Sequence, residues 1–119
     1  MNIKDTEKLE VFSGQEGTEI RQIFSPEDTD NVIRYSIAHC TINPGKNSKP
    51  HTMKTSEVYY ILEGNGIFHI GDEHREVEKN EAIFVPPNSR QFLENSGNID
   101  LIALCIVDPA WRQEDEVSE

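Results

Sequence analysis

This sequence predicts an all-β fold, a small antiparallel barrel or jelly roll, and three observations carry the prediction. Turn-forming clusters recur at short intervals: Asn43-Pro44-Gly45, Gly64-Asn65-Gly66, Gly71-Asp72-Glu73, Pro86-Pro87-Asn88-Ser89 and Ser96-Gly97-Asn98. The runs between them are short and rich in β-branched and aromatic residues. No long stretch repeats its apolar residues at the helical period.

Taken in order, strands are expected at 20–24, 32–42, 58–62, 67–70, 82–85 and 101–107. Two of these do not alternate. Val58-Tyr59-Tyr60-Ile61-Leu62 and Leu101-Ile102-Ala103-Leu104-Cys105-Ile106-Val107 are apolar at successive positions. A strand with one wet face carries polar residues at alternate positions, so these two predict cover on both faces. The barrel interior supplies one cover. A second copy of the chain is the expected other, which makes a homodimer the predicted assembly. After the last strand, Asp108 offers an N-cap, Pro109 a first helical position, and the acids of 114–116 a favourable first turn. A short C-terminal helix is expected there, with Trp111 anchoring it to the barrel and the final residues frayed.

The chain's 119 residues amount to about one domain, so 1–119 is expected to be a single domain with its core at about 18–108 and a tail at 109–119. Its 22 acids against 11 bases give a formal charge of -11. Such a surface repels phosphate backbones and anionic headgroups, which argues against nucleic-acid and membrane partners. No run approaches the roughly 20 apolar residues that span a bilayer. The polar, mixed-charge residues 1–10 resemble no secretory or transit segment. Two cysteines, Cys40 and Cys105, call for no disulfide scaffold and fit a reducing compartment. The expectation is a soluble cytoplasmic protein.

One constellation carries chemistry. Gly45 is followed after five residues by His51, after one more by Met53, after three by Glu57 and after six by Gly64. Later come Pro86, Asn88, Gln91 and Asn95, separated by one, two and three residues. The small turn residues set strand ends, and the two-residue spacing of His51 and Met53 puts both on one strand face.

These spacings resemble the two motifs of the cupin family, G-x5-H-x-H-x3-E-x6-G and P-x-G-x2-H-x3-N. Residues 18–116 are also similar to a subgroup of small cupins described as sugar-phosphate isomerase-like. The likeness rests on Ser56-Glu57-Val58-Tyr59-Tyr60-Ile61-Leu62-Glu63-Gly64 and Cys105-Ile106-Val107-Asp108-Pro109-Ala110-Trp111. The resemblance implies a cupin barrel with an interior ligand site. It leaves the activity open, because cupins include isomerases, dioxygenases, lyases and binding proteins. The sequence departs from the motifs at three positions: Met53 and Gln91 stand where histidines are usual, and Asn88 replaces a glycine. The usual shell of three histidines and one glutamate is thereby reduced to His51, Glu57 and Gln91.

An imidazole, a carboxylate and an amide oxygen can hold a divalent cation from one side and leave positions open for water or substrate. An amide in place of a histidine hardens the shell and favours Mn or Fe, with Zn and Ni still acceptable. The Met53 thioether is a poor ligand for such ions and reads as pocket wall. In a metal-free alternative, His51, Glu57 and Gln91 hydrogen-bond one another and His51 is a general base. The candidate catalytic residues are therefore His51, Glu57 and Tyr59; the last shares a face with Glu57 and either presents its hydroxyl to the pocket or packs in the core. The functional expectation is a small cupin acting on a polar, anionic metabolite by isomerase- or dioxygenase-like chemistry. Its rival is a small-ligand-binding cupin without turnover.

Weaker signals remain. Residues 44–56 hold Lys46, Lys49 and Lys54 and no acid, a reversal of the chain's overall balance that suggests either an anion-attracting rim or a solvated loop. His39 and Cys40 must point to opposite faces. Cys105 reads as an inert core thiol, and His69 with His74 as a surface pair across a hairpin.

Overall fold

The computed structural model describes residues 1–12 and 15–119. Among these the chain forms the strands β1 (Thr18–Phe24), β2 (Ser36–Ile42), β3 (His51–Met53), β4 (Ser56–Glu63), β5 (Asn65–Ile70), β6 (Glu73–Glu78), β7 (Ala82–Val85), β8 (Arg90–Glu94), β9 (Leu101–Asp108) and β10 (Glu116–Ser118). They build two antiparallel five-stranded sheets, ordered β1-β2-β9-β4-β7 and β10-β3-β8-β5-β6. The all-β jelly roll expected from the turn spacing is the fold observed. No helix among the described residues is long and apolar enough to cross a membrane.

The core lies between the sheets. Ile61, Leu101, Ala103 and Val85 of the first meet Phe68, Val77 and Leu93 of the second, all buried. Tyr59 and Phe68 pack edge to face with centroids 4.8 Å apart. The two non-alternating runs are β4 and β9, paired side by side at the centre of the first sheet. Their outward residues form rows across neighbouring strands: Ile37, Ile106, Val58 and Phe84 are successive cross-strand partners, as are Leu104 and Tyr60 in the next row. Phe84 is 62% exposed, so this apolar face meets solvent in the single chain.

Turns work through specific backbone needs. Gly64 has φ +83°, and a Cβ there would lie 2.6 Å from the Asp100 carbonyl oxygen. Asn88 has φ +65°. Asparagine tolerates that left-handed region better than most residues, which is why it substitutes for the motif glycine. Asn95 is 2% exposed and clamps a loop. Its amide donates to the carbonyls of Ile42 and Ile99, and its oxygen accepts the Gly97 N–H.

The tail departs from expectation. Asp108 ends β9 rather than capping a helix, and its carboxylate takes both ends of the Arg34 guanidinium at 2.9 Å. Residues Gln113–Asp115 form a single 3-10 turn, and Glu116–Ser118 add as a strand beside β3. Trp111 is 45% exposed and does not anchor the tail in the core. An ion pair and a sheet edge thus outcompete a local capping signal. Residues 32–35, expected as strand, precede β2, while β6 was expected only as the far side of the His69–His74 hairpin, with no strand assigned to it.

Replacing Asn95 with alanine removes the donor to the buried Ile42 carbonyl and the part-buried Ile99 carbonyl, and the acceptor of the Gly97 N–H. The expected loss is about 2–4 kcal/mol, read as a lower urea midpoint with an unchanged slope.

Candidate functional site

The two sheets bring the motif residues together from opposite sides. Glu57 sits in β4, paired with Val107 and Val85, so its side chain enters the interior from the first sheet. His51 and Gln91 are direct cross-strand partners on β3 and β8 of the second sheet. Met53, 3% exposed, lies beside His51 on the same face as wall. Glu57 is 5% exposed and Gln91 1%.

Hydrogen bonds then fix each group. The His51 Nδ1 lies 2.9 Å from the Lys49 carbonyl oxygen, which can only accept, so Nδ1 carries a proton. In a neutral ring, Nε2 is then a bare lone pair. Nε2 stands 3.8 Å from Glu57 Oε1. That oxygen is buried and has no hydrogen-bond partner. Two acceptors therefore face each other across a gap too long for a hydrogen bond, and a positive charge is needed between or upon them. A proton on Nε2 meets the need in part. A divalent cation meets it fully, since two bonds of about 2.0–2.2 Å can bridge such a gap, and metal-binding histidines commonly donate their other N–H to a backbone carbonyl. By donor chemistry, the residues fit the cation expected from the motif. Among the described residues, no three His, Cys, Asp or Glu side chains stand close enough together to hold a metal ion as they lie.

Tyr59 has a different place from the proton donor the sequence allowed. Its hydroxyl donates to Gln91 Oε1 at 2.7 Å, both groups buried. Burial, then the nearby Glu57 charge, pushes the phenol well above its ordinary value. It stays protonated and orients the Gln91 carbonyl. For His51, burial pulls the pKa down, but the Glu57 carboxylate, the Lys49 carbonyl and the Glu116 charge outweigh it, so the net shift is upward.

Glu116 is the residue the sequence reading missed. It lies opposite Met53 on β10, a strand with no signal beyond one apolar residue between polar ones. The lysine rim fares less well: Lys46 pairs with Glu16 at 3.5 Å, and Lys54 lowers the pKa of Asp115 after the larger effect of Arg112. Acids distant in sequence offset the local reversal.

Cys40 faces the core and His39 the outer face, where burial and then Arg21 lower the imidazole's pKa. Cys105 is part-exposed as a residue, but its thiol faces Cys40; that hydrogen bond, then burial, holds it well above the usual range. His69 and His74 stack across the β5–β6 hairpin at 5.8 Å, away from the site. Two surface clefts, of about 490 and 290 Å³, include none of His51, Glu57, Tyr59 or Gln91.

A barrel of two antiparallel sheets with an inward His–Glu–Gln set defines a class of small interior-site proteins. The chain belongs to the cupin family: the cupin domain matches residues 38–107. An uncharacterized protein of Methanocaldococcus jannaschii is 35% identical over 118 residues, 97% of this chain and 94% of that one. An oxalate-binding protein of Thermotoga maritima is 28% identical over 103 residues, 85% of this chain and 84% of that one. A crystal structure of a predicted oxalate decarboxylase from Thermotoga maritima superposes with a TM-score of 0.77 at 24% identity, covering 89% of this chain and 97% of that one.

The raised His51 pKa has a consequence for stability in the presence of chelator. The folded protein holds its proton above 6.5, where the unfolded chain releases it. This contribution is full below the unfolded value and lost as pH rises through the folded one. Urea midpoints should fall as pH rises past 6.5, and His51→Gln should flatten that slope.

Proposed function

We propose that this cupin holds a divalent cation on His51, Glu57 and Gln91 and acts on a small polar, anionic metabolite by isomerisation or oxygenation. One observation carries the reading: a buried, unpaired carboxylate oxygen faces an imidazole nitrogen whose partner atom is already committed to a backbone carbonyl. The donor set is hard, which suits Mn or Fe and admits Zn or Ni. A bound cation supplies Lewis acidity toward an anionic oxygen.

The chain's own groups do the rest. Lys49 fixes the ring of His51, and Tyr59 fixes the amide of Gln91. Glu57 contributes the negative charge that offsets the cation's lost hydration. Met53 makes an apolar wall that keeps water from competing. A Thermotoga relative named for oxalate binding supports a carboxylate as the ligand class.

The same name favours a second reading, a binding cupin without turnover. Tyr59, committed to Gln91 and strongly protonated, supplies no mobile proton, which also suits that reading. Turnover that chelation abolishes supports the enzyme; tight binding of a small carboxylate, unchanged after prolonged incubation, supports the binding protein. The proposal includes a homodimer, with the apolar outer rows of β2, β9, β4 and β7 covered by a second copy.

Metal analysis of protein purified without a tag should find a divalent ion near one per chain. Glu57→Gln keeps the shape, removes the charge and should abolish uptake while the barrel stays folded. Gln91→His and Met53→His should each tighten binding, most for Zn, the first at the expense of the Tyr59 hydrogen bond and hence of some stability. Unchanged metal content in Glu57→Gln places the ion elsewhere and ends the reading. Light scattering should give a dimer burying roughly 1,000 Å² or more, and Phe84→Asp should shift it toward monomer.

A further inference from the structure

We propose that Glu116, on the C-terminal strand, is a second carboxylate of the His51–Glu57 site, and that the docked tail completes that site. This rests on the cation reading above.

Register places the residue. On β10, Glu116 lies opposite Met53 and Ser118 opposite His51. Partners in an antiparallel pair share a face, so Glu116 emerges on the inward side with Met53 and diagonal to His51. Diagonal neighbours in such a pair are about 7–8 Å apart at Cα, within reach of a long side chain. The β3 side of the site otherwise offers a cation only the imidazole, because the Met53 thioether suits hard ions poorly. Glu116 brings a hard oxygen to that side. Its negative charge already acts on His51.

Its present partners are replaceable. One oxygen accepts the Trp111 indole N–H at 3.2 Å and the other the Ser118 hydroxyl at 3.0 Å. Both donors are neutral and sit near the rim. A divalent charge on His51 and Glu57 attracts the carboxylate more strongly than either, so binding would draw Glu116 inward and release the indole.

What docks the tail is also weak. The backbone ladder to β3 is three residues long and is extended by Lys54 N–H to the Asp115 carbonyl and Glu119 N–H to the Pro50 carbonyl. Arg90 grips the Glu119 carboxylate from the surface. Val117 is 69% exposed, so little apolar area holds the strand down. A segment held by exposed ion pairs and a short ladder opens readily. A ligand that binds only its closed form must stabilise it in return.

Trp111 is the chain's one tryptophan and reports on Glu116 directly. Zn²⁺ added to the metal-free protein, followed by indole emission and calorimetry, should give a saturable emission change in the wild type and none in Glu57→Gln. Glu116→Gln should bind Zn²⁺ about tenfold or more weakly, in the range seen when groups supporting a metal site are removed. Glu116→Asp, which keeps the charge, should lose less and covers the case in which Glu116→Gln fails to fold. Zn²⁺ should slow amide exchange of residues 116–118 in the wild type. Wild-type affinity in both Glu116 variants, or tail exchange indifferent to Zn²⁺, overturns the proposal while leaving the His51–Glu57 site standing. A wild type that takes up neither Zn²⁺ nor Mn²⁺ overturns the cation site and this proposal together.

Discussion

The structure turns on one buried charge. Glu57 is 5% exposed, and its Oε1 has no hydrogen-bond partner in a barrel whose buried residues include Ile61, Val85, Leu101 and Val107. Removing a carboxylate from water costs several kcal/mol even after a protein relaxes around it, and no lysine or arginine pairs with this one among the described ion pairs. The imidazole across the gap is the compensating group available, and its outer nitrogen is already tied to Lys49. Tolerance of this cost follows from where Glu57 stands. β4 is an interior strand, paired with β9 on one side and β7 on the other, so the backbone beneath the charge is held from both edges.

The sequence made much of this legible because strand periodicity converts spacing into direction. His51 and Met53, two apart, share a face, and the glycine and proline turns fix where each strand begins. The motif departures also have physical readings. Asn88 keeps the positive φ that a glycine served, and Met53 closes a wall in place of a ligand. The doubly apolar runs 58–62 and 101–107 predicted cover on both faces; they form the neighbouring strands β4 and β9, whose inner faces join the core and whose outer rows meet solvent in the single chain. What spacing cannot give is the pairing of distant strands. That Gln91 lies opposite His51, and that Tyr59 reaches Gln91 rather than the open pocket, follow from register between elements about 30 to 40 residues apart.

The failures share one cause. The tail carried a good local helix signal in Asp108, Pro109 and the following acids, yet a capping interaction is worth about 1 kcal/mol. Arg34 competes for the same carboxylate with two charge-assisted bonds, and the open edge of β3 competes for the backbone that follows. A weak local preference loses to two non-local partners. The hairpin that pairs His69 with His74 was read, but its polar arm β6 was given no strand for a related reason: of its six residues only Val77 is buried, so its strand character comes from pairing with β5 rather than from its own pattern. Glu116 was missed with the tail, since its meaning arises only once β10 lies beside β3.

Tyr59 and Gln91 are best understood as one unit. A buried phenol needs an acceptor, and the amide carbonyl provides it while keeping a second lone pair free. A histidine at position 91 offers a single acceptor nitrogen, which either a cation or the phenol can use but not both. Glutamine at this position is therefore the residue that satisfies Tyr59 and still leaves an oxygen for the site. Tyr59 in turn packs edge to face on Phe68, so the amide's orientation is tied to the aromatic core. The departure at Gln91 and the tyrosine two residues after Glu57 form a matched pair. The donor set is shaped by the packing behind it as much as by the ion or proton in front.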